Sequence, residues 1–366
     1  MFRTVNLHGQ ALTGEALLKA RVEAGAAQHE FGVAARGRVS RVLTENLPPI
    51  RLGRFPIDAP RFGLPPAFPS SLGPLNSDVD QGIGSINYSG DYAGRLEVRA
   101  GLHRVRYIKR VRQPSGIATR RAENSWVYNA SVVFAVGRSL TVFANTVKGV
   151  EESGTSPQNA TNLNEILPPV TATEYELGAR WAVTPKLGLI LAGFSTTKLT
   201  PGLRPDGIFT LVGNVRHRGG EVSLNGEVRP GTSVVIGAMK MKPRLSGQLI
   251  DAGVIGSRPI GVAGTVGVFS FDQRFGWIPG LSIDSRLNWN GRRAANARNT
   301  FETGEYALWS LGGRYAFSYD DRPITVRSLA SNVLTNRPYI VGSSGLFQQF
   351  NGTTYRLTVR VGLLGE

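Results

Sequence analysis

The sequence predicts an all-β protein, a transmembrane antiparallel β-barrel, and three observations carry that expectation. Runs of roughly ten residues alternate apolar and polar side chains, the period of a strand with two unlike faces. The connections between these runs alternate between short and long, as they do in outer-membrane barrels. Glycine is abundant, at 45 of 366 residues, against ~7% in ordinary globular chains, and no window approaches the ~18 apolar residues of a membrane helix. Any crossing of a bilayer must therefore use strands.

The opening MFRTVNLHGQALTGEALLKARVEAG lacks the apolar core of a signal peptide, and its LLKARVEAG portion reads as a partial strand. EFGVAARGRV near Phe31 is the first full run. RLEVRAGL then sets Leu96, Val98, Ala100 and Leu102 against Arg95, Glu97, Arg99, Gly101 and His103. EYELGARWAV opposes Tyr175, Leu177, Ala179 and Trp181 to Glu174, Glu176, Gly178 and Arg180. NVRHRGGEVSLNGEVRPG places Glu221, Ser223, Asn225 and Glu227 opposite Val222, Leu224 and Val228, with a bend or bulge expected at Gly219-Gly220. SIDSRLNWN and the final YRLTVRVGL repeat the pattern, the latter with Arg356, Thr358 and Arg360 on the polar side. The count is about fourteen strands, each with the ~9–11 residues that a tilted crossing needs. Apolar side chains would then meet lipid and polar ones a lumen. Trp126, Tyr175, Trp181, Trp289, Trp309, Tyr315, Tyr319 and Tyr355 are placed to form interfacial girdles.

Short turns rich in Gly, Pro, Asn, Asp and Ser occur at YSGDYAG, VGRS, VTPK, VRPGT, WIPG and SYDDRP. Between them, long connections of roughly fifteen to forty residues are expected at 41–81, 109–125, 149–171, 198–213, 243–262, 291–305 and 332–353. A soluble sandwich has no reason to sort its loops in this way.

Cysteine is absent, which excludes disulfide scaffolds, structural zinc and thiol chemistry. His8, His29, His103 and His217 are scattered without a metal-ligand spacing, so no cofactor is expected. No P-loop, nucleophile elbow or dinucleotide fingerprint is present, and Glu151-Glu152 and Asp320-Asp321 read as solvated loop or turn carboxylates. The chain is not expected to be an enzyme. A formal net charge of +16 calls for an anionic partner. RVRYIKRVR (Arg104 to Arg112) and TRRA (Thr119 to Ala122) flank one predicted long loop, where a barrel meets lipopolysaccharide phosphates, and nucleic acid is not expected. Arg216-His217-Arg218 reads as a further rim cluster able to meet an arriving anion.

SLTVFANTVKGVEESGTSPQNATNLNEILPPVTATEYELGARWAVTPK resembles the mid-barrel region of TonB-dependent outer-membrane receptors, particularly the siderophore-receptor group. The matching features are Lys148-Gly149, Pro168-Pro169 and Tyr175-Glu176-Leu177-Gly178. VGNVRHRGGEVSLNGEVRPG and TVRSLASNVLTNRPYIVG, with Asn332, Leu334, Asn336 and Tyr339, continue the likeness in order, which extends from about Phe31 to Leu364.

The resemblance implies a 22-stranded barrel with a folded plug in its lumen. Residues 1–366 would be its C-terminal portion, starting near the eighth or ninth strand and containing neither plug nor signal peptide. It also implies an outer-membrane location, a ferric siderophore or other bulky anionic ligand, outer-membrane lipid and lipopolysaccharide around the wall, and the TonB complex as partner of the intact protein. Lumenal arginines such as Arg95, Arg99, Arg180, Arg286, Arg327, Arg356 and Arg360 would pair with plug carboxylates. Asn159, Arg216, His217 and Tyr339 are the candidate ligand contacts. The chain ends in VGLLGE, where the family commonly carries a terminal aromatic used in assembly. A smaller complete barrel acting as a passive porin-like channel, and a soluble all-β binding protein, are the competing expectations.

Overall fold

The computed structural model describes residues 7–45, 73–113, 115–152, 154–157, 160–204, 206–342 and 347–362. In chain order the strands are β1 (Leu7–Ala24), β2 (Ala27–Glu45), β3 (Pro74–Tyr92), β4 (Leu96–Arg112), β5 (Ala118–Ala135), β6 (Leu140–Glu151) and β7 (Val170–Thr184). There follow β8 (Leu187–Leu203), β9 (Phe209–Arg229), β10 (Thr232–Ser246), the single helical turn α1 (Gln248–Asp251), β11 (Thr265–Arg274) and β12 (Leu281–Asn290). The last are β13 (Arg293–Ala294), β14 (Glu302–Thr303), β15 (Tyr306–Tyr319), β16 (Arg322–Ser331), β17 (Tyr339–Val341), β18 (Phe347–Gln349) and β19 (Thr354–Val361).

One 15-stranded sheet runs β1 to β12 in chain order and then through β15, β16 and β19, while β13–β14 and β17–β18 form two separate small hairpins. Every pairing is antiparallel between strands consecutive in the sheet, so the topology is an up-and-down meander. The LLKARVEAG segment belongs to a full strand, β1, rather than a partial one. Among the described residues β1 pairs only with β2 and β19 only with β16, leaving two sheet edges.

The two-faced pattern holds along the whole sheet. Leu177 is 67% and Leu357 71% exposed, and register places such residues in continuous rows on one face. One row is Trp181, Leu189 and Leu224, and another is Val326 with Val359. An exposed apolar face of this extent is what a bilayer covers. All eight aromatics expected in the girdles lie on this face. At the short-turn end they are joined by Tyr88, whose hydroxyl lies 2.7 Å from that of Tyr92 and 3.0 Å from His29 Nδ1.

The strands are longer than expected, with β2 and β3 at 19 residues and β9 at 21. At ~3.3 Å per residue β9 spans roughly 70 Å, about twice the hydrocarbon thickness. On β4 the apolar side chains Leu96, Val98, Ala100 and Leu102 give way on the same face to Arg104 and Arg106, and pairing with β5 continues to Arg112. The sheet therefore rises beyond the apolar belt as a wall whose outer side is basic, while Val105, Tyr107 and Val111 are buried on its inner side. For the same reason two of the expected long connections shrink: 109–125 to the loop 113–117, and 198–213 to the loop 204–208. Register breaks fall at Thr232/Ser233 and Thr200/Pro201 instead of Gly219-Gly220, which pair regularly with Met241 and Lys240. There a Cβ on Gly219 would run into the Lys240 carbonyl, so this glycine permits close strand approach rather than a bend. Arg95 lies in the turn before β4, outside the strand. Asp320 and Asp321 take φ of 52° and 55° and close β15–β16 as a two-residue hairpin.

Candidate functional site

All the short turns lie at one end of the sheet and the longer connections at the other, and the candidate site is the polar face together with this loop end. Two loop assemblies cover the face there. The first is 152–169, held by the isolated bridge Thr155–Ile166. It docks on the β8–β9 hairpin through Asn162, which donates from Nδ2 to the Phe209 carbonyl (2.9 Å) and accepts at Oδ1 from its N–H (2.8 Å). On the other side the Thr119 hydroxyl of β5 donates to the Asn164 carbonyl at 3.3 Å. Ile166, Leu167 and Val170 are buried, as are Val79, Tyr107 and Val111 on the polar face of β3 and β4. Glu152 reaches down to that face, pairing with Lys109 at 3.1 Å and with Arg38 at 3.4 Å. Glu151 pairs with Lys198. The two carboxylates are exposed, as expected, and are paired as well: Glu151 ties the end of β6 to β8, and Glu152 ties the loop to the wall.

The second assembly joins 247–264, 291–305 and 332–353. Gly256 and Gly261 donate their N–H groups to the carbonyls of Ala297 and Ala294 (2.8 and 2.9 Å). Asn299 exchanges hydrogen bonds with the Arg258 backbone, Arg258 pairs with Glu302, and the Phe301 and Phe347 rings meet at 6.2 Å. Asn332 donates to the carbonyls of Asn336 (2.5 Å) and Asn351 (2.9 Å), fixing the base of the third loop.

The four candidate contacts fall in different places. Tyr339 is half-buried in β17, opposite Gln349, within the second assembly. Asn159 lies outside the described residues. Arg216 and His217 are adjacent in β9 and so point to opposite faces. His217 lies opposite Thr196 on the polar face, where Thr196 donates to Glu174 at 2.8 Å and His217 Nε2 has no hydrogen-bond partner. Arg216 and Arg218 are exposed on the apolar face, Arg216 donating to Thr197 at 3.3 Å. The expected single cluster is therefore two half-sites, and only His217 faces inward.

A second feature of the polar face was half legible in the sequence, whose alternation marks Arg327 and Arg360 as lumenal but does not show which arginines converge. Near the short turns Arg274, Arg314, Arg327 and Arg360 line one recess with Thr325 and Thr358. Arg314 stands directly opposite Arg327. Arg327 binds both oxygens of Asp284 (3.0 and 3.1 Å), and Arg314 donates to Ser282 at 3.2 Å. The charged lining of the recess is all guanidinium, with Asp284, its register partner Asp272 and Glu227 near Arg274 at its margins, which leaves an anion-attracting floor. Arg314 and Arg327 meet across one hairpin, and β11 and β19 bring Arg274 and Arg360 to the same recess from elsewhere in the chain. Among the described residues no three His, Asp or Glu side chains cluster as metal ligands.

Residues 59–333 match the model of the TonB-dependent receptor-like β-barrel family. The chain belongs to this family. Its sheet is the wall of an outer-membrane barrel, its apolar face is the lipid face, and its polar face lines the lumen. The chain is 24% identical over 204 residues to the ferrichrome receptor FcuA of Yersinia enterocolitica, a match spanning 54% of this chain and 27% of that protein. The fold is that of BauA, the ferric preacinetobactin receptor of Acinetobacter baumannii (TM-score 0.81, 19% identity, 98% of this chain, 55% of that one). It is likewise that of the ferric-catecholate import receptor Fiu of E. coli K12 (TM-score 0.77, 16% identity, 97% of this chain, 55% of that one). The chain thus spans little more than half of the solved receptors it superposes on. This is a family of transport receptors.

Proposed function

We propose that this chain is the C-terminal part of a receptor that captures a ferric siderophore or similar bulky anionic ligand at its outer loops and passes it through the lumen with energy delivered by TonB. The observation that carries the reading is the loop end: two packed assemblies roof a polar lumen wall, as befits a receptor that must hold a ligand before admitting it. The family match and the ferrichrome-receptor relative point the same way. His217 and Tyr339 supply the inward and loop-borne ligand contacts, and Asn159, three residues before Asn162 in the sequence, completes the set. Arg216 leaves the ligand set because its side chain faces outward. The floor of Arg274, Arg314, Arg327 and Arg360 seats carboxylates of a lumenal plug, and the basic outer ends of β4 and β5 meet lipopolysaccharide. No catalytic role is assigned. The passive-channel reading draws no support from the sheet, whose β1 and β19 do not pair with one another among the described residues.

The test is uptake of iron-loaded siderophores by cells that depend on the intact receptor. Import is expected to require TonB and to weaken about tenfold in half-saturation when His217→Ala and Tyr339→Ala are combined, the scale of one or two lost polar contacts. The 366-residue chain reconstituted alone is expected to show no energy-dependent uptake. Import that ignores TonB, or diffusion of small sugars through the chain alone, would replace the receptor reading with the channel one.

A further inference from the structure

Methionine occurs three times in the chain, as Met1, Met239 and Met241. The last two stand two residues apart on β10, so the strand period sends both thioethers to one face. That face is the lumen: Met239 and Met241 are half-buried, while Ala238, Lys240 and Lys242 are exposed on the lipid side. Their backbones are ~7 Å apart, close enough for two long, flexible side chains to turn toward one atom.

Register brings three residues of β9 alongside them. Glu221 lies opposite Met239, Gly219 opposite Met241 and His217 opposite Pro243. His217 is therefore a diagonal neighbour of Met241, at the ~7–8 Å that long side chains bridge. Gly219, between His217 and Glu221, puts no side chain into this space, and a Cβ there would meet the Met241 Cβ at 2.7 Å. His217 Nε2 is shielded from solvent and has no hydrogen-bond partner among the described residues. Thr196, which faces it from β8, gives its hydroxyl proton to Glu174 instead. A buried nitrogen left in this state calls for a partner. Two thioethers and an imidazole nitrogen make a soft donor set, which selects Cu(I) over the hard ions held by carboxylates and carbonyls.

We propose that Met239, Met241 and His217 form a lumenal binding site for Cu(I), with the Glu221 carboxylate beside Met239 attracting the cation. Absence of a three-membered His, Asp or Glu cluster is no obstacle, since sulfur supplies two of the three donors. The site goes beyond the ferric-ligand reading and shares only His217 with it. It gives the lumen a second cargo, a bare soft metal ion, bound by the wall itself.

The intact receptor is purified from outer membranes in mild detergent, kept anaerobic with ascorbate, and titrated with Cu(I) against a chromophoric Cu(I) chelator. Folding of each variant is checked by the heat-dependent shift in electrophoretic mobility. Met239→Leu combined with Met241→Leu conserves side-chain volume and is expected to bind one equivalent of Cu(I) less than the unaltered receptor. X-ray absorption at the copper edge should lose its sulfur scattering in the same variant. His217→Ala is expected to weaken that equivalent about tenfold or more, at least the cost of losing a residue that supports a metal ligand, while the sulfur scattering stays. Zn(II) in place of Cu(I) should not distinguish the unaltered receptor from the double methionine variant. Equal Cu(I) binding in those two proteins, copper without sulfur scattering in the unaltered receptor, or a Zn(II) equivalent lost with the methionines overturns the site. TonB-dependent iron import by cells carrying the unaltered receptor is scored separately; its absence overturns the receptor reading and leaves the copper site standing.

Discussion

Gly280 ends the turn between β11 and β12 with a φ of 84°, and a Cβ there would collide with the Ala316 carbonyl of β15. Both the left-handed backbone and the close strand exclude a side chain, so Gly280→Ala is expected to cost about 1–3 kcal/mol. The midpoint of urea unfolding of the folded form measures this, and an unchanged midpoint would show that the turn relaxes freely. Gly193 offers the contrast, since an added side chain there points into an open lipid-facing trough. Sequence pattern does not separate these two glycines, because each interrupts an apolar run. The same limit applies to Arg216 and His217. Their adjacency reads as one cluster in the sequence, yet the two-residue period sends one to lipid headgroups and the other to the lumen. The alternation itself contains that separation, since His217 lies four residues before Glu221 and shares its face.

At the scale of elements, the loop 152–169 is held by a few polar ties at its edges and a small apolar underside. Asn162→Ala removes both hydrogen bonds to the half-buried Phe209 backbone, a loss of about 1–2 kcal/mol confined to the loop. Hydrogen exchange is expected to accelerate at 154–157 and 160–169 and at the β8–β9 hairpin tip, with β11 to β16 unaffected. Uniform acceleration across the sheet would mean that the loop is not a separate unit. Strand existence and two-facedness were legible because lipid on one side and a polar lumen on the other force alternation. Strand ends were not. Above the apolar belt on β4 the alternation inverts, with Arg104, Arg106 and Arg110 outward and Val105, Tyr107 and Val111 inward, and backbone pairing continues past the lipid-facing run, which is why 109–125 and 198–213 read as long loops. Glu151 and Glu152 are exposed as their sequence suggests, but their partners Lys198, Lys109 and Arg38 come from β8, β4 and β2, distant in the chain, and the sequence does not mark them.

At the scale of the sheet, β1 and β19 are unpaired edges among the described residues, each a row of open backbone N–H and C=O groups. Such groups are costly in lipid and recruit other strands. The 366-residue chain on its own is therefore expected to self-associate through these edges in detergent. Sedimentation should detect oligomers that diminish when Val359→Pro removes a donor from the middle of β19, whereas a monodisperse monomer would show that the edges close or are covered. What the sequence by itself determined is the class of molecule: strands of two faces, turns at one end, loops at the other, and a positive charge in search of anions. These are local and periodic properties, readable one strand at a time. The tertiary structure decided what lateral neighbours create: the arginine floor of the lumen, the ties of the folded-in loop, and the meeting of His217 with the two methionines of β10. Register alone assigns partners across strands tens of residues apart, and no single strand records it.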